Sequence, residues 1–359
     1  MAGSNPRRLP HRDERGHRSD DRSDSLDARP RSQRDPRPGR RGDGTIYSAT
    51  NAGVLHALDP ATGADRWTFD GGGGYGGDLS TSPAVLTDGT ILWPGPRARL
   101  FALSPAGALR WAEEFDAQLL SPAVVNDGVG YVMTMAGTLT RLDLTPSAAT
   151  RRWTLSLGSS SYGSPAVAPD GTIVTSVDNE VVTVLDDGDH AAVKWRYDTG
   201  ALIEVSPAVS RDGTIVIGTN GHTEIALRAD GTERWKYQRD SQSYSSAAIT
   251  PNGVAWFGDH RGYLNGVRVT DGHLVRRVRG QGFRHGHSSS IGVWTSPTID
   301  RRGNVYFGTR PGHIYGFASD GRRLFDIDAH STVDSYPALT ADGTLLIGAT
   351  SGLLYALQD

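Results

Sequence analysis

The 359-residue sequence contains no cysteine. That excludes disulfide bridges, thiolate metal sites and a cysteine nucleophile, while leaving the compartment open. No apolar run approaches the ~18 residues that a membrane-spanning helix requires. There is no His-Glu-x-x-His, no Gly-x-Ser-x-Gly and no phosphate loop ending in Gly-Lys-Ser/Thr. The glycine run from Gly71 to Gly77 formally contains G-x-G-x-x-G. It leads into a strand rather than a helix, and so reads as a loop and not as a dinucleotide site.

A strong charge of one sign is also missing: the net charge is −3. The first 43 residues hold twelve Arg against eight acidic residues, a surplus of +4, so the rest of the chain carries −7. A mildly acidic body has no electrostatic footprint for nucleic acid. The same 43 residues have no Val, Ile or aromatic residue, and Leu9 and Leu26 are their only large aliphatics. Such a segment cannot bury enough apolar surface to offset chain entropy, and it has no apolar stretch of the secretory-signal type. The expected division is therefore a disordered Arg/Asp/Pro-rich tail over 1–43 and a folded unit over 44–359. The folded pattern opens in mid-unit at Gly44, which also raises the expectation that the tail is an out-of-frame reading and not the native start.

What the chain has in abundance is glycine (45) and proline (19) between short alternating apolar runs, the composition of many strands and turns. From Gly44 onward one phrase returns every 40–50 residues: Ser-Pro-Ala-Val, then x-Asp-Gly-Thr-Ile, a short turn, Leu-x-Ala-Leu, and Asp-Gly-x-x-x-Trp. Ser-Pro occurs at Ser82-Pro83, Ser121-Pro122, Ser164-Pro165, Ser206-Pro207 and Ser296-Pro297, with Ser246-Ala247 and Tyr336-Pro337 as variants. Asp-Gly follows at positions such as Asp88-Gly89, Asp170-Gly171 and Asp212-Gly213, a pair suited to tight hairpins because both residues tolerate positive φ. An aromatic then opens the last strand of each unit: Trp67, Trp111, Trp153, Trp195, Trp235 and Phe325, with Arg276 at the equivalent place in the sixth. One aromatic per unit at a fixed place is expected to wedge neighbouring units together.

Four short antiparallel strands per unit, repeated at a fixed period, predict an all-β propeller. Counting strands predicts eight four-stranded blades, the first without its opening strand and the last without its closing one. Seven blades with a spare hairpin is the alternative.

The unit Ser206–Trp235, SPAVSRDGTIVIGTNGHTEIALRADGTERW, resembles the repeats of the PQQ-like propeller group, which includes the quinoprotein alcohol dehydrogenases and the propeller lipoprotein of outer-membrane β-barrel assembly. The resemblance covers residues 44–359. It implies a propeller fold and an extracytoplasmic location, periplasmic or secreted. Its dehydrogenase branch implies pyrroloquinoline quinone (PQQ) with calcium in the central funnel. The vicinal cysteines of several such enzymes are absent here, and no calcium ligand set can be placed by motif. The expectation is a non-catalytic, monomeric binding or scaffolding propeller with no cofactor and no catalytic residue or metal site, engaging a protein, peptide or glycan at its funnel rim. The alternative is a PQQ/calcium oxidoreductase.

The candidate rim follows from the loops. The stretch after the sixth unit is unusually long and contains Arg284, His285 and His287, and long loops on rigid scaffolds often carry function. Asp240, Tyr244 and His330 are further candidates for ligand contact, and Gln118, Tyr162, Glu204, Gln242 and Asp334 are expected on the same face. His56, His222, His260 and His313 read as surface turn residues.

Overall fold

The computed structural model describes residues 7–10, 44–74, 81–119, 124–126, 128–280, 292–340 and 342–358. Every element in it is a β-strand, and the strands form eight antiparallel sheets. Labelling the strands of each sheet a to d outward, blade 1 has b (Ile46–Ala49), c (Val54–Leu58) and d (Asp65–Asp70). Blades 2 to 7 are four-stranded and span 84–114, 124–156, 166–198, 208–238, 248–279 and 298–328. Blade 8 takes a, b and c from 338–357.

The ring closes through its core. Eight apolar clusters each draw on two consecutive blades. Tyr47 and Leu55 of blade 1 meet Trp93 and Phe101 of blade 2, Val216 and Trp235 of blade 5 meet Phe257 and Val267 of blade 6, and so on round the ring. The eighth cluster joins Ile46 and Leu58 of blade 1 to Leu346 and Leu354 of blade 8. That contact requires a closed circle of eight and excludes seven blades with a spare hairpin.

The fourth strand of blade 8 is Arg7–Pro10, paired antiparallel with Leu353–Ala356. Four residues of the segment expected to lie wholly outside the fold thus belong to it. Strand addition uses backbone hydrogen bonds, which a polar sequence supplies as well as an apolar one, so composition alone could not show it.

The repeated residues have visible tasks. The indole N–H of Trp67 donates to the Pro105 carbonyl of the next blade (2.9 Å), Trp111 to Thr145 (3.3 Å), Trp195 to Ala229 (3.1 Å) and Trp235 to Val269 (2.8 Å). Trp153 donates instead to the Asp186 carboxylate of blade 4 (2.9 Å). The turn glycine of the next blade lies flat on the ring: a Cβ on Gly231 or Gly272 would stand 2.8 Å from Trp195 or Trp235, and both glycines have φ above +70°. Arg276 fills the same slot in blade 6, with its aliphatic stem on Gly321. Phe325 of blade 7 stacks on Tyr306 (6.0 Å, 19°) within the cluster shared with blade 8.

The Ser-Pro serines form an inner relay. The amide of Ser164 donates to the hydroxyl of Ser206 (2.9 Å), Ser206 to Ser246 (3.0 Å) and Ser246 to Ser296 (2.8 Å). Proline is tolerated next to them because strand a is the inner edge of its sheet, where a missing N–H breaks no ladder. Two histidines expected in surface turns lie in strands instead. His56 is buried in strand c of blade 1, 2.9 Å from Asp65, and His313 opens strand c of blade 7, 2.7 Å from Asp326. In both cases a carboxylate on the paired strand engages the ring, so each histidine can sit within a strand instead of a turn.

Candidate functional site

Because each strand reverses direction, the d–a and b–c connections emerge at one end of the ring. They are stitched together there: the amide of Asn220 donates to Leu202 (2.8 Å), His260 to Gln242 (3.0 Å) and Arg310 to Gly292 (3.2 Å). One position of this rim recurs two residues before each inner-relay serine or its substitute. It is held by Tyr162, Glu204, Tyr244, Trp294 and Asp334. The register is constant while the residue changes from blade to blade, as expected of a position that blade packing leaves unconstrained.

Across blades 5 to 7 these residues interleave with the b–c turns in a continuous chain. Tyr244 packs on His260 (4.9 Å) and edge-on against Trp294 (4.9 Å, 74°), and His260 stacks on Trp294 (5.0 Å, 17°). The Arg310 guanidinium lies 3.9 Å over the Trp294 ring and 3.4 Å from the Asp334 carboxylate. Beside it, Arg277 pairs with Asp240 (2.6 Å) and covers the Tyr263 ring (3.6 Å). A guanidinium over an aromatic face contributes ~0.5–2 kcal/mol, so the strip is pre-ordered rather than assembled on contact. Burial, reinforced by Arg239, Arg310 and His222, pushes His260 down to about 4, leaving a neutral ring at neutral pH. Burial and the nearby Glu204 push the Tyr244 phenol up.

Under this strip lies a fully inaccessible pair. Glu224 of strand c and Arg239 after strand d of blade 5 are both 0% exposed, with Nε and Oε2 3.8 Å apart. Arg239 donates to the carbonyls of Thr219 and Thr223, holding the b–c turn that carries Asn220. Among the described residues neither Glu224 oxygen receives a hydrogen bond. Burial, only partly offset by Arg239, pushes Glu224 up to about 7. A carboxyl raised in the fold favours the protonated state, so its stabilisation is complete at low pH and is lost as pH rises from about 4.5 through 7. Glu224→Gln mimics the protonated form. Its melting temperature should match wild type below pH 4 and exceed it at pH 8, by the equivalent of up to ~3 kcal/mol.

Of the residues anticipated from sequence, Tyr244 and Asp334 lie in the strip and Asp240 lies at its flank. Glu204 bonds Asn220 (2.5 Å). Gln118 donates to the Gly95 carbonyl (3.0 Å) and so ties blade 3 to blade 2. His330, mostly exposed, pairs with Asp328 (3.1 Å). Arg284, His285 and His287 lie outside the described residues. His260 was misread as an isolated turn residue, because the aromatic neighbours that half-bury it are remote in sequence. Trp294 and Arg310 were missed, although their place in the repeat register was available as a signal.

No three His, Asp or Glu side chains converge among the described residues as a metal would need. The buried carboxylate of Asp259 is engaged by the amides of Arg261 and Tyr263 and by Asn265. Among the described residues these bonds commit the Asp259 carboxylate to protein donors.

Fold and repeat together define an eight-bladed PQQ-type propeller with a polar-aromatic rim. The family model described as outer membrane protein assembly factor BamB matches residues 51–150 and 144–359, and the chain belongs to that family. The BamB of Moranella endobia is 28% identical over 151 residues, 39% of this chain and 38% of that protein, so the match spans well under half the curated relative's length. The crystal structure of BamB from Moraxella catarrhalis superposes with a TM-score of 0.69 at 14% identity, covering 88% of this chain and 94% of the other. Sqt1 of Saccharomyces cerevisiae superposes at 0.74 with 8% identity, covering 88% and 93%. Likenesses at these identities speak for fold alone.

Proposed function

We propose that the chain is a non-catalytic scaffold that docks a protein partner on the rim strip of blades 5 to 7, in an extracytoplasmic setting connected with outer-membrane protein assembly. Family membership supports the scaffold role. The observation that supports the location is the strip running from Tyr244 through His260, Trp294 and Arg310 to Asp334, built at the variable rim register. Aromatic and arginine side chains held rigid at a loop face are the residue types that dominate binding energy at interfaces. Peptide or glycan ligands would use the same ring faces and are distinguished by the partner recovered.

The test is cross-linking and co-purification from the native envelope with full-length protein. A partner held by wild type should be retained at least tenfold less by Trp294→Ala/Arg310→Glu and normally by Arg228→Glu on the opposite face. Equal retention by all three proteins would refute the assignment. Incubation with PQQ and calcium should give no retained quinone absorbance and no dye-linked alcohol oxidation, and saturable loading with turnover would overturn the non-catalytic reading.

A further inference from the structure

Blade 5 departs from the repeat at three positions that meet beneath the rim. The first is the second residue of strand c. In the other seven blades it is aliphatic and buried, from Leu55 in blade 1 through Val181 in blade 4 and Leu264 in blade 6 to Leu354 in blade 8. Each belongs to the apolar cluster shared with the following blade. In blade 5 the residue is Glu224, which stands opposite Gly218 and Tyr237 as Leu264 stands opposite Gly258 and Val278. The second position lies four residues after the wedge, where the amide bonds to a carbonyl of the b–c turn: Gly71 to Gly53, Leu157 to Gly137, Ala329 to Gly312 and Arg239 to His222 (2.7 Å). The equivalent residues of blades 1 to 4, 6 and 7 carry no charge. The third is the turn residue itself. His222 has a φ of +65°, where blades 1, 3, 6 and 7 use glycine, and that conformation is costly for any residue with a Cβ.

Arg239 grips this turn from within, through the Thr219 and Thr223 carbonyls. Among the described residues its Nε and Nη1 and both Glu224 oxygens have no hydrogen-bond partner. At 3.8 Å the two side chains face each other unbonded, the arrangement of a protonated acid beside a guanidinium committed elsewhere. An ionised carboxylate closed off from water needs hydrogen bonds, and the donors beside it are those two nitrogens. Closing the gap to charge-assisted length shifts the planar guanidinium by about 1 Å and draws Nη2 away from the turn.

The other ionisable groups around the pair are Tyr237 of strand d, His222 of the turn, Glu204 on Asn220, and Asp259, His260 and Arg277 of blade 6. Asp259 is pushed up by burial against the bonds it accepts, and it stands 3.6 Å from Arg277. Burial pushes Tyr237 up and His260 down to about 4, so neither changes charge near neutrality. Glu224, pushed up to about 7, does.

We propose that Glu224 is a proton-operated latch on the rim between blades 5 and 6. Protonated, it leaves Arg239 on the carbonyls of the b–c turn. Ionised, it draws the guanidinium off and loosens both the turn and the link that carries Asp240 and Tyr244. The latch also regulates the strip if the docking assignment above holds, but it is read on the rim itself and needs no partner.

The test is hydrogen–deuterium exchange of the full-length protein from about pH 5.5 to 8.5, with rates corrected for the intrinsic effect of pH. Protection of 219–224 and 239–244 should fall at least tenfold with a midpoint near 7. The turn 134–138 of blade 3, which precedes Leu139 in place of a glutamate, should keep its protection. Glu224→Gln should hold the acid-side protection throughout. His222→Gly restores the usual turn glycine, removes the titratable ring at the turn, and should retain the step. Glu224→Leu/Arg239→Leu should lose it, and serves should the glutamine variant fail to fold. The latch is overturned by wild-type protection that is flat or rises with pH, by an equal step at 134–138, by a step that survives in either Glu224 variant, or by one that vanishes in His222→Gly.

Discussion

Replacing Asp186 with alanine should destabilise the protein by ~3–5 kcal/mol, the range for removing one partner of a buried charge network. Asp186 has a side-chain exposure of only 6%. It accepts from Tyr131 Oη (2.5 Å), Trp153 Nε1 (2.9 Å), Arg141 Nη1 (2.8 Å) and the Gly188 amide (2.9 Å), tying blade 3 to blade 4. Alanine would leave two ring donors and a guanidinium without their acceptor, and each unsatisfied buried donor costs ~1–3 kcal/mol. Burial alone would raise the carboxyl, but the bonds from Tyr131, Trp153, Gly188 and Arg141 outweigh it and hold Asp186 below the usual carboxylate range. A depressed carboxyl stabilises the fold above its unfolded pKa, and that contribution is lost as pH falls below about 4. Urea melts from pH 3 to 8 should show the penalty of Asp186→Asn shrinking towards acid, whereas a pH-independent penalty would mean that the charge is not what matters.

Trp235→Ala should cost ~3–5 kcal/mol, within the range for truncating a buried tryptophan. The ring is 7% exposed, donates to Val269 and is capped by Gly272. It fills the interface between blades 5 and 6 together with Val216, Phe257 and Val267. Trp235→Phe keeps most of the apolar contact and loses the hydrogen bond, and should cost about half as much. Since each blade is held by its neighbours, the loss should appear as a lower urea midpoint with an unchanged slope. A loss below 1 kcal/mol for the alanine variant would mean that the tryptophan is not a wedge.

The path from residues to fold was short here. A tryptophan or its substitute every 40–50 residues, with Asp-Gly and Ser-Pro at set distances, is a local signal that each unit repeats. The number of units then follows by counting. The rim was legible only in part. Tyr244 and Asp334 stood out by their place in the loops, but nothing in the local sequence of His260 reveals that Trp294, 34 residues away, stacks on its ring. Arg277 was hidden by its position in a strand read as structural.

By itself the sequence determined the architecture, because blade formation depends on turn chemistry, alternation and a wedge residue, all of which act within one repeat. Tertiary structure alone decided how the ring is sealed, which rim residues touch, and that Glu224 faces Arg239 in a space closed to water. Those outcomes depend on contacts between consecutive blades, or between the chain's two ends, and neither a repeat's composition nor its period encodes the distance between them.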